Sequence, residues 1–191
     1  DCDFYVFSGH KLYGPSGIGI LYMKEKWFDK FEPYQGGGDM IDKVEINHTT
    51  FAKGFHKFEA GTPPIAQVIG LGASINFINS LNLEKVFKHE KEVHDYMLNK
   101  LSSFNDINIY GSSKNKGAII SFNLSGIHAN DLAMILDQKN VAIRTGHHCA
   151  QPLMKYFDIT SSARASFGVY NDKKDVDLFV DSLKQAKDFL S

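Results

Sequence analysis

Arginine is nearly absent from this chain. Of 21 basic residues among 191, 19 are lysine, and only Arg144 and Arg164 carry a guanidinium. A planar, bidentate fork is therefore reserved for two places. Cysteine is as scarce: Cys2 and Cys149 stand alone, which excludes a disulfide framework or a four-cysteine zinc site and leaves a single reactive thiol open. No run of about 18 or more apolar residues occurs, and no charged start leads into an apolar signal core, so neither a membrane-spanning helix nor a secretory leader is expected. The cytoplasm is the default compartment. An excess of either charge is also lacking. Lys+Arg 21 against Asp+Glu 22 leaves a net charge of −1, which points away from nucleic acid and anionic membranes and towards small, nearly neutral partners. An initiator Met is missing too. The sequence opens on the apolar run Phe4 to Phe7, and the chain is expected to be a piece of a longer one.

What is present suits a folded protein. The chain is 43% hydrophobic and 23% charged, enough for one core and a second small lobe. Residues 3 to 8 and 18 to 23 are rich in β-branched and aromatic residues and nearly continuously apolar, the pattern of strands buried on both faces. Between them lies Ser8-Gly9-His10-Lys11-Leu12-Tyr13-Gly14-Pro15-Ser16-Gly17, a glycine-rich loop of the kind that carries function. Residues 36 to 58 show little period of either kind and are expected to be irregular. Thr62-Pro63-Pro64 predicts a helix start with Thr62 as N-cap, leading into a face of Ile65, Val68, Ile69, Gly72, Ile75 and Ile78 that ends near Leu81. A second helix is expected over 84–102.

Beyond it, the pattern is that of a small α+β lobe. Ile107 to Tyr110 reads as a strand, and Ala118, Ile120, Phe122 and Leu124 alternate with Ile119, Ser121 and Asn123, as in a half-buried antiparallel strand. A short helix around Leu132 to Leu136 precedes an expected strand Val141 to Arg144. Ala163, Ala165 and Phe167 then alternate with Arg164 and Ser166, which puts Arg164 on the face opposite the apolar one. The last helix, 172 to 190, is the cleanest amphipathic stretch in the chain.

Three places can carry chemistry. Lys11, at a strand end in an apolar and glycine-rich surround, is expected to lose hydration and offer a neutral amine for a Schiff base with a carbonyl; the alternative is one more surface lysine. Arg144-Thr145-Gly146-His147-His148-Cys149 is the densest cluster. It allows a Cys-His nucleophile, a metal site, a thiol on a loop that attacks something held elsewhere, or an inert core thiol. The metal reading is the weakest, because consecutive side chains diverge. Arg164 suits a substrate carboxylate or a structural ion pair. Thr62, at a helix start, could reach a phosphate. His56, His89 and His94 lack such company and are expected at the surface.

Ser8-Gly9-His10-Lys11, with Tyr13-Gly14-Pro15, Glu59-Ala60-Gly61-Thr62-Pro63 and Arg144-Thr145-Gly146-His147-His148-Cys149, resembles the SUF-type cysteine desulfurases, and the similarity runs along essentially the whole chain. The resemblance implies an α/β protein of the pyridoxal-phosphate fold type I, aspartate-aminotransferase-like, corresponding to the C-terminal half. Residues 1–83 would close the large cofactor domain and 84–191 would form the small α+β domain. It implies that Lys11 binds pyridoxal 5'-phosphate as a Schiff base, that Ser8 and His10 hold its phosphate, and that Thr62 reaches the phosphate of the neighbouring subunit in a homodimer. Arg164 would clamp the carboxylate of L-cysteine, Arg144 would lie near it, and Cys149 would take the sulfur as a persulfide for a SUF acceptor protein and iron-sulfur cluster assembly. A cytoplasmic home, or a plastid in a eukaryote, goes with this. The family's ring-stacking histidine and pyridine-nitrogen aspartate lie outside this chain, so the piece alone is expected to be inactive.

The rival readings are a selenocysteine lyase or other fold-type-I enzyme, a cofactor-free Cys-His hydrolase, and a non-catalytic binding module. The hydrolase lacks any Gly-x-Cys or Cys-Gly-x-Cys nucleophile turn.

Overall fold

The computed structural model describes residues 1–111, 113 and 116–190. The chain divides into two compact units, Asp1–Leu81 and Asn82–Ser191.

The first unit begins with β1 (Phe4–Ser8), a tight 3-10 turn (Gly9–Lys11) and β2 (Gly19–Met23). The two strands pair antiparallel with Val6 opposite Leu21 and Tyr5 opposite Tyr22. The expectation of burial on both faces is not met. Val6 is 70% and Leu21 52% exposed, because the pair is a two-stranded sheet among the described residues, and two strands have no second layer of their own to bury an apolar face.

The stretch expected to be irregular contains a hairpin, β3 (Ile41–Val44) with β4 (Thr49–Phe51). It left no period in the sequence because neither face of β3 is buried: Ile41, Val44 and the turn residue Ile46 are all exposed, so no alternation is demanded.

Helix α1 (Ile65–Ser80) starts later than Thr62 predicts. Pro64 occupies the N-cap position, with no side-chain cap. The two prolines explain the delay, since a residue preceding proline is kept out of the helical region, and both Thr62 and Pro63 precede one. The face that packs also differs. Ile65, Val68, Ile69 and Ile75 are exposed, whereas Leu71 and Ser74 are buried; the Ser74 hydroxyl donates to the Leu12 carbonyl, and Gly70 lies on Pro15. Polar residues such as Gln67, Asn76 and Asn79 are spread round the helix among apolar ones, so its sequence marks no unique face.

In the second unit, α2 (Leu83–Leu101) opens on an Asn82 cap whose side chain accepts from the Lys85 amide at 3.1 Å. Then come β5 (Ile107–Tyr110), β6 (Ile119–Leu124), α3 (Ala129–Asp137), β7 (Arg144–Gly146), α4 (Gln151–Tyr156), β8 (Ser162–Ser166) and α5 (Lys173–Leu190). The strands form one antiparallel sheet in the order β5-β6-β8-β7. One face supplies Ile120, Phe122, Leu124, Ala163 and Ala165 to a core closed by α2, α3 and α5. The alternation read from the sequence is the alternation observed.

Two expectations for this unit need correction. The strand placed at Val141 to Arg144 runs instead over Arg144–Gly146, because Thr145 and Gly146 are the residues that pair with Ala163 and Ser162. His94 is not at the surface but 6% exposed on the core side of α2, one residue beyond Val93, where the helical turn still faces inward.

Candidate active site

Lys11 closes the 3-10 turn that follows β1. The turn is tight because the Gly9 amide donates to the Ile18 carbonyl at 2.9 Å and the Gly9 carbonyl accepts from both Leu12 and Gly14. A Cβ on Gly9 would lie 2.7 Å from Ile18 Cγ2, so glycine is needed there for close approach. The result lifts His10 and Lys11 outward as exposed side chains and leaves Ser8 half-buried with its hydroxyl making no capping bond. A hydroxyl, an imidazole and an amine thus leave one turn together, a donor set that fits a phosphate-bearing carbonyl cofactor. The loss of hydration expected at Lys11 is not provided by its own unit, where the side chain is exposed; the turn presents the amine outward instead of folding it under β1 and β2.

Thr62 is exposed and lines a hollow of about 590 Å³ in the first unit, with Gly17, Ile20, His56 and Glu59 among its walls. Ser8, His10 and Lys11 do not line it.

The second unit holds Cys149, exposed at the tip of the loop between β7 and α4. Three of four consecutive residues are left-handed: Gly146 at φ 113°, His148 at 52° and Cys149 at 58°. Only glycine takes that region freely, so His148 and Cys149 are held there by their contacts. Arg144 Nη2 lies 3.7 Å from Cys149 Sγ. The Cys149 amide donates to His147 Nδ1 at 3.2 Å, and His148 Nε2 lies 3.0 Å from the Ser162 carbonyl and 3.1 Å from its hydroxyl. Burial holds His148 below the usual histidine range against the raising effect of its bond to the Ser162 backbone, and Arg164, Arg144 and His147 push the same way as burial.

Arg164 stands on β8, on the sheet face away from the core, as its alternation with Ala163 and Ala165 required. It borders a cavity of about 380 Å³ with Tyr110, Ser121, His148 and Phe157. Its Nε is buried without a hydrogen-bond partner. A buried donor without an acceptor is costly and suits an anionic ligand such as a carboxylate.

The sequence reading brought out Cys149, Arg144 and Arg164, and the second unit gathers all three. It missed Ser162, which the alternation through Ala163 and Ala165 places on the face of Arg164, and it did not separate the roles of His147 and His148. His147 is exposed; His148 is the one tied to the sheet.

Comparison with known proteins bears on both units. A family model described as aminotransferase class-V matches residues 1–179. A probable cysteine desulfurase of Staphylococcus epidermidis is 50% identical over the full chain, which spans 46% of that relative's length. A crystal structure of an Escherichia coli cysteine desulfurase in an S-sulfonic acid form superposes with a TM-score of 0.93 at 34% identity, covering 99% of this chain and 47% of that one. The apo cysteine desulfurase of Thermococcus onnurineus gives 0.91 at 37%, covering 96% and 46%. The chain therefore spans about half the length of the relatives it matches.

Proposed function

Since the chain belongs to the class-V aminotransferase family, with the fold of the pyridoxal-phosphate enzymes of type I, we propose that it is part of a cysteine desulfurase that converts L-cysteine to L-alanine and leaves a persulfide on Cys149. The observation that carries this reading is the exposed Cys149 thiol beside Arg144 on the sheet that bears Arg164. A thiol on a loop that leaves the sheet bearing a carboxylate grip is what sulfur transfer from an amino acid needs.

In this reading Lys11 is the amine that binds pyridoxal 5'-phosphate, with Ser8 and His10 donating to its phosphate. The bound cofactor supplies an electron sink for the bond broken at the substrate Cα. Lys11 Nζ takes the proton from Cα and returns one later. Arg164 holds the substrate carboxylate with two parallel hydrogen bonds, and Arg144, beside the thiol and opposite Arg164, lies near the substrate. Cys149 Sγ attacks the substrate sulfur: the new S–S bond forms as the C–S bond breaks, its electron pair returns to carbon, and protonation yields alanine. L-cysteine and one thiol thus give alanine and one persulfide, with no further oxidant.

Thr62 serves the phosphate of the neighbouring subunit in a homodimer; its position in a hollow that Lys11 does not line supports that use. The persulfide passes to a sulfur-acceptor protein of the SUF system for iron-sulfur cluster assembly, in the cytoplasm. No helix among the described residues is long and apolar enough to cross a membrane.

The test is single-turnover mass spectrometry on the full-length enzyme. Incubation with L-cysteine should add one sulfur to the peptide carrying Cys149 and release one alanine. Cys149→Ser should keep cofactor absorbance and lose both products. Sulfur release at the wild-type rate from Cys149→Ser would refute the assignment.

A further inference from the structure

The histidine beside Cys149 does more than fill space. The Ser162 carbonyl oxygen can only accept, so His148 Nε2, 3.0 Å away, carries the hydrogen. The other ring nitrogen, Nδ1, is buried and has no hydrogen-bond partner. A second proton there would be an N–H enclosed without an acceptor, so the same geometry that fixes the tautomer keeps the ring neutral. The carbonyl it grips belongs to Ser162, which is 1% exposed on β8, a strand paired on both sides by β6 and β7. The anchor point is thus a buried residue at the start of β8, paired with Gly146 of β7.

The loop needs such an anchor. His148 and Cys149 are both left-handed without being glycine, a conformation that strains any residue with a Cβ and persists only where contacts hold it. The remaining ties are weaker placed. Thr145 donates to Asn130 Oδ1 at 2.7 Å, upstream of the turn, His147 Nδ1 accepts from the Cys149 amide within the same loop, and the Arg144 guanidinium reaches the Cys149 sulfur only at the long distance of 3.7 Å. His148 is the residue of the turn whose own side chain reaches β8, at the Ser162 carbonyl and hydroxyl.

We propose that His148 is the positioning residue of the Cys149 loop: as the Nε2–H tautomer bonded to Ser162, it pins the left-handed turn to β8 and so holds the thiol at the Arg144 guanidinium. Its influence on sulfur transfer rests on the reading of Cys149 as sulfur acceptor; its influence on the loop does not. Without the anchor the turn relaxes towards ordinary backbone, Cys149 leaves Arg144, and the substrate grip at Arg164 stays.

The experiment uses the full-length, cofactor-loaded enzyme and compares wild type, His148→Ala and His148→Gln, since the Gln amide can return an N–H towards Ser162. Hydrogen exchange in the peptide spanning residues 145–150 should speed roughly tenfold in His148→Ala, with peptides of α2 and α5 unchanged. His148→Gln should bring it back to within about threefold of wild type. In turnover, His148→Ala should lower kcat roughly tenfold and leave KM for L-cysteine within about twofold. Unchanged exchange of 145–150 in His148→Ala, a uniform rise across all peptides, or a Gln variant as fast as Ala would overturn the proposal. If wild type releases no alanine, the functional reading fails and the exchange measurement still decides the anchor.

Discussion

Arg144 and Arg164, the two arginines of the chain, stand directly opposite each other on β7 and β8. Cross-strand partners share a face and lie about 4.5 to 5.5 Å apart at Cβ, so two cationic side chains leave the sheet side by side. Like charges in that relationship destabilise the sheet until an anion binds. Arg144→Gln is therefore expected to raise ligand-free stability by about 0.2 to 1 kcal/mol, and to reduce the gain in Tm that wild type shows with an added carboxylate. Thermal melts with and without the anion check both. A loss of ligand-free stability would mean that the repulsion is already neutralised.

Arg164→Lys should raise KM for L-cysteine in the full-length enzyme far more than it lowers kcat. An ammonium cannot reproduce two parallel bonds to a carboxylate, and each charge-assisted bond contributes about 1.5 to 3 kcal/mol. Steady-state kinetics over a wide cysteine range would show the split. Equal effects on kcat and KM would assign Arg164 to the chemical step instead.

The pH dependence of stability follows from His148, whose pKa lies below its ordinary 6.5 through burial first. Between the folded value and 6.5 the unfolded chain binds more protons, so stability rises with pH there. The contribution is complete above about 6.5, is lost as pH falls towards the folded value, and is flat below it. Asp95 and Asp177, lowered by their bonds to Lys91 and Lys100, act only below their ordinary 3.8 and do not overlap this window. Urea midpoints from pH 5 to 7.5 should slope for wild type and flatten for His148→Gln. Identical slopes would assign the dependence to another group.

Gly9→Ala should distort the Lys11 turn, since its Cβ would meet Ile18 Cγ2 at 2.7 Å and the Pro15 carbonyl at 3.1 Å. Overpacking of this kind costs about 1 to 3 kcal/mol. In the full-length enzyme the variant should bind pyridoxal phosphate more weakly, read as absorbance against added cofactor, while hydrogen exchange at 145–150 stays as in wild type. Full cofactor affinity in Gly9→Ala would show that the turn can shift without moving Lys11.

The isolated 191-residue chain should self-associate through β1 and β2. Val6 and Leu21 are cross-strand partners, 70% and 52% exposed, and an exposed apolar strand pair with open edges invites pairing with another copy. Sedimentation of the chain should give oligomers that Val6→Lys with Leu21→Glu disperses. A monomeric wild-type chain at tens of micromolar, an order-of-magnitude working concentration for weak association, would contradict this.

Where a segment has one buried and one exposed face, the sequence by itself determined the outcome. Ile120, Phe122 and Leu124 of β6 and Val176, Phe179, Val180 and Leu183 of α5 stand buried as their periods of 2 and 3.6 require. The order of motifs around Lys11, Thr62 and Cys149 likewise pointed to the family without coordinates. Tertiary structure decided what no local period encodes. Helix α1 has apolar residues on every side with polar ones scattered among them, so only its packing on Leu12 to Pro15 selected Leu71 and Ser74 over Ile65 and Ile69. The hairpin at Ile41 and Phe51 buries no face and wrote no pattern. Which of two adjacent histidines anchors the thiol loop, and that Arg144 faces Arg164 across the β7–β8 ladder, depend on strand register. Register joins residues 14 to 20 positions apart, a distance at which the chain's local periodicities carry no information.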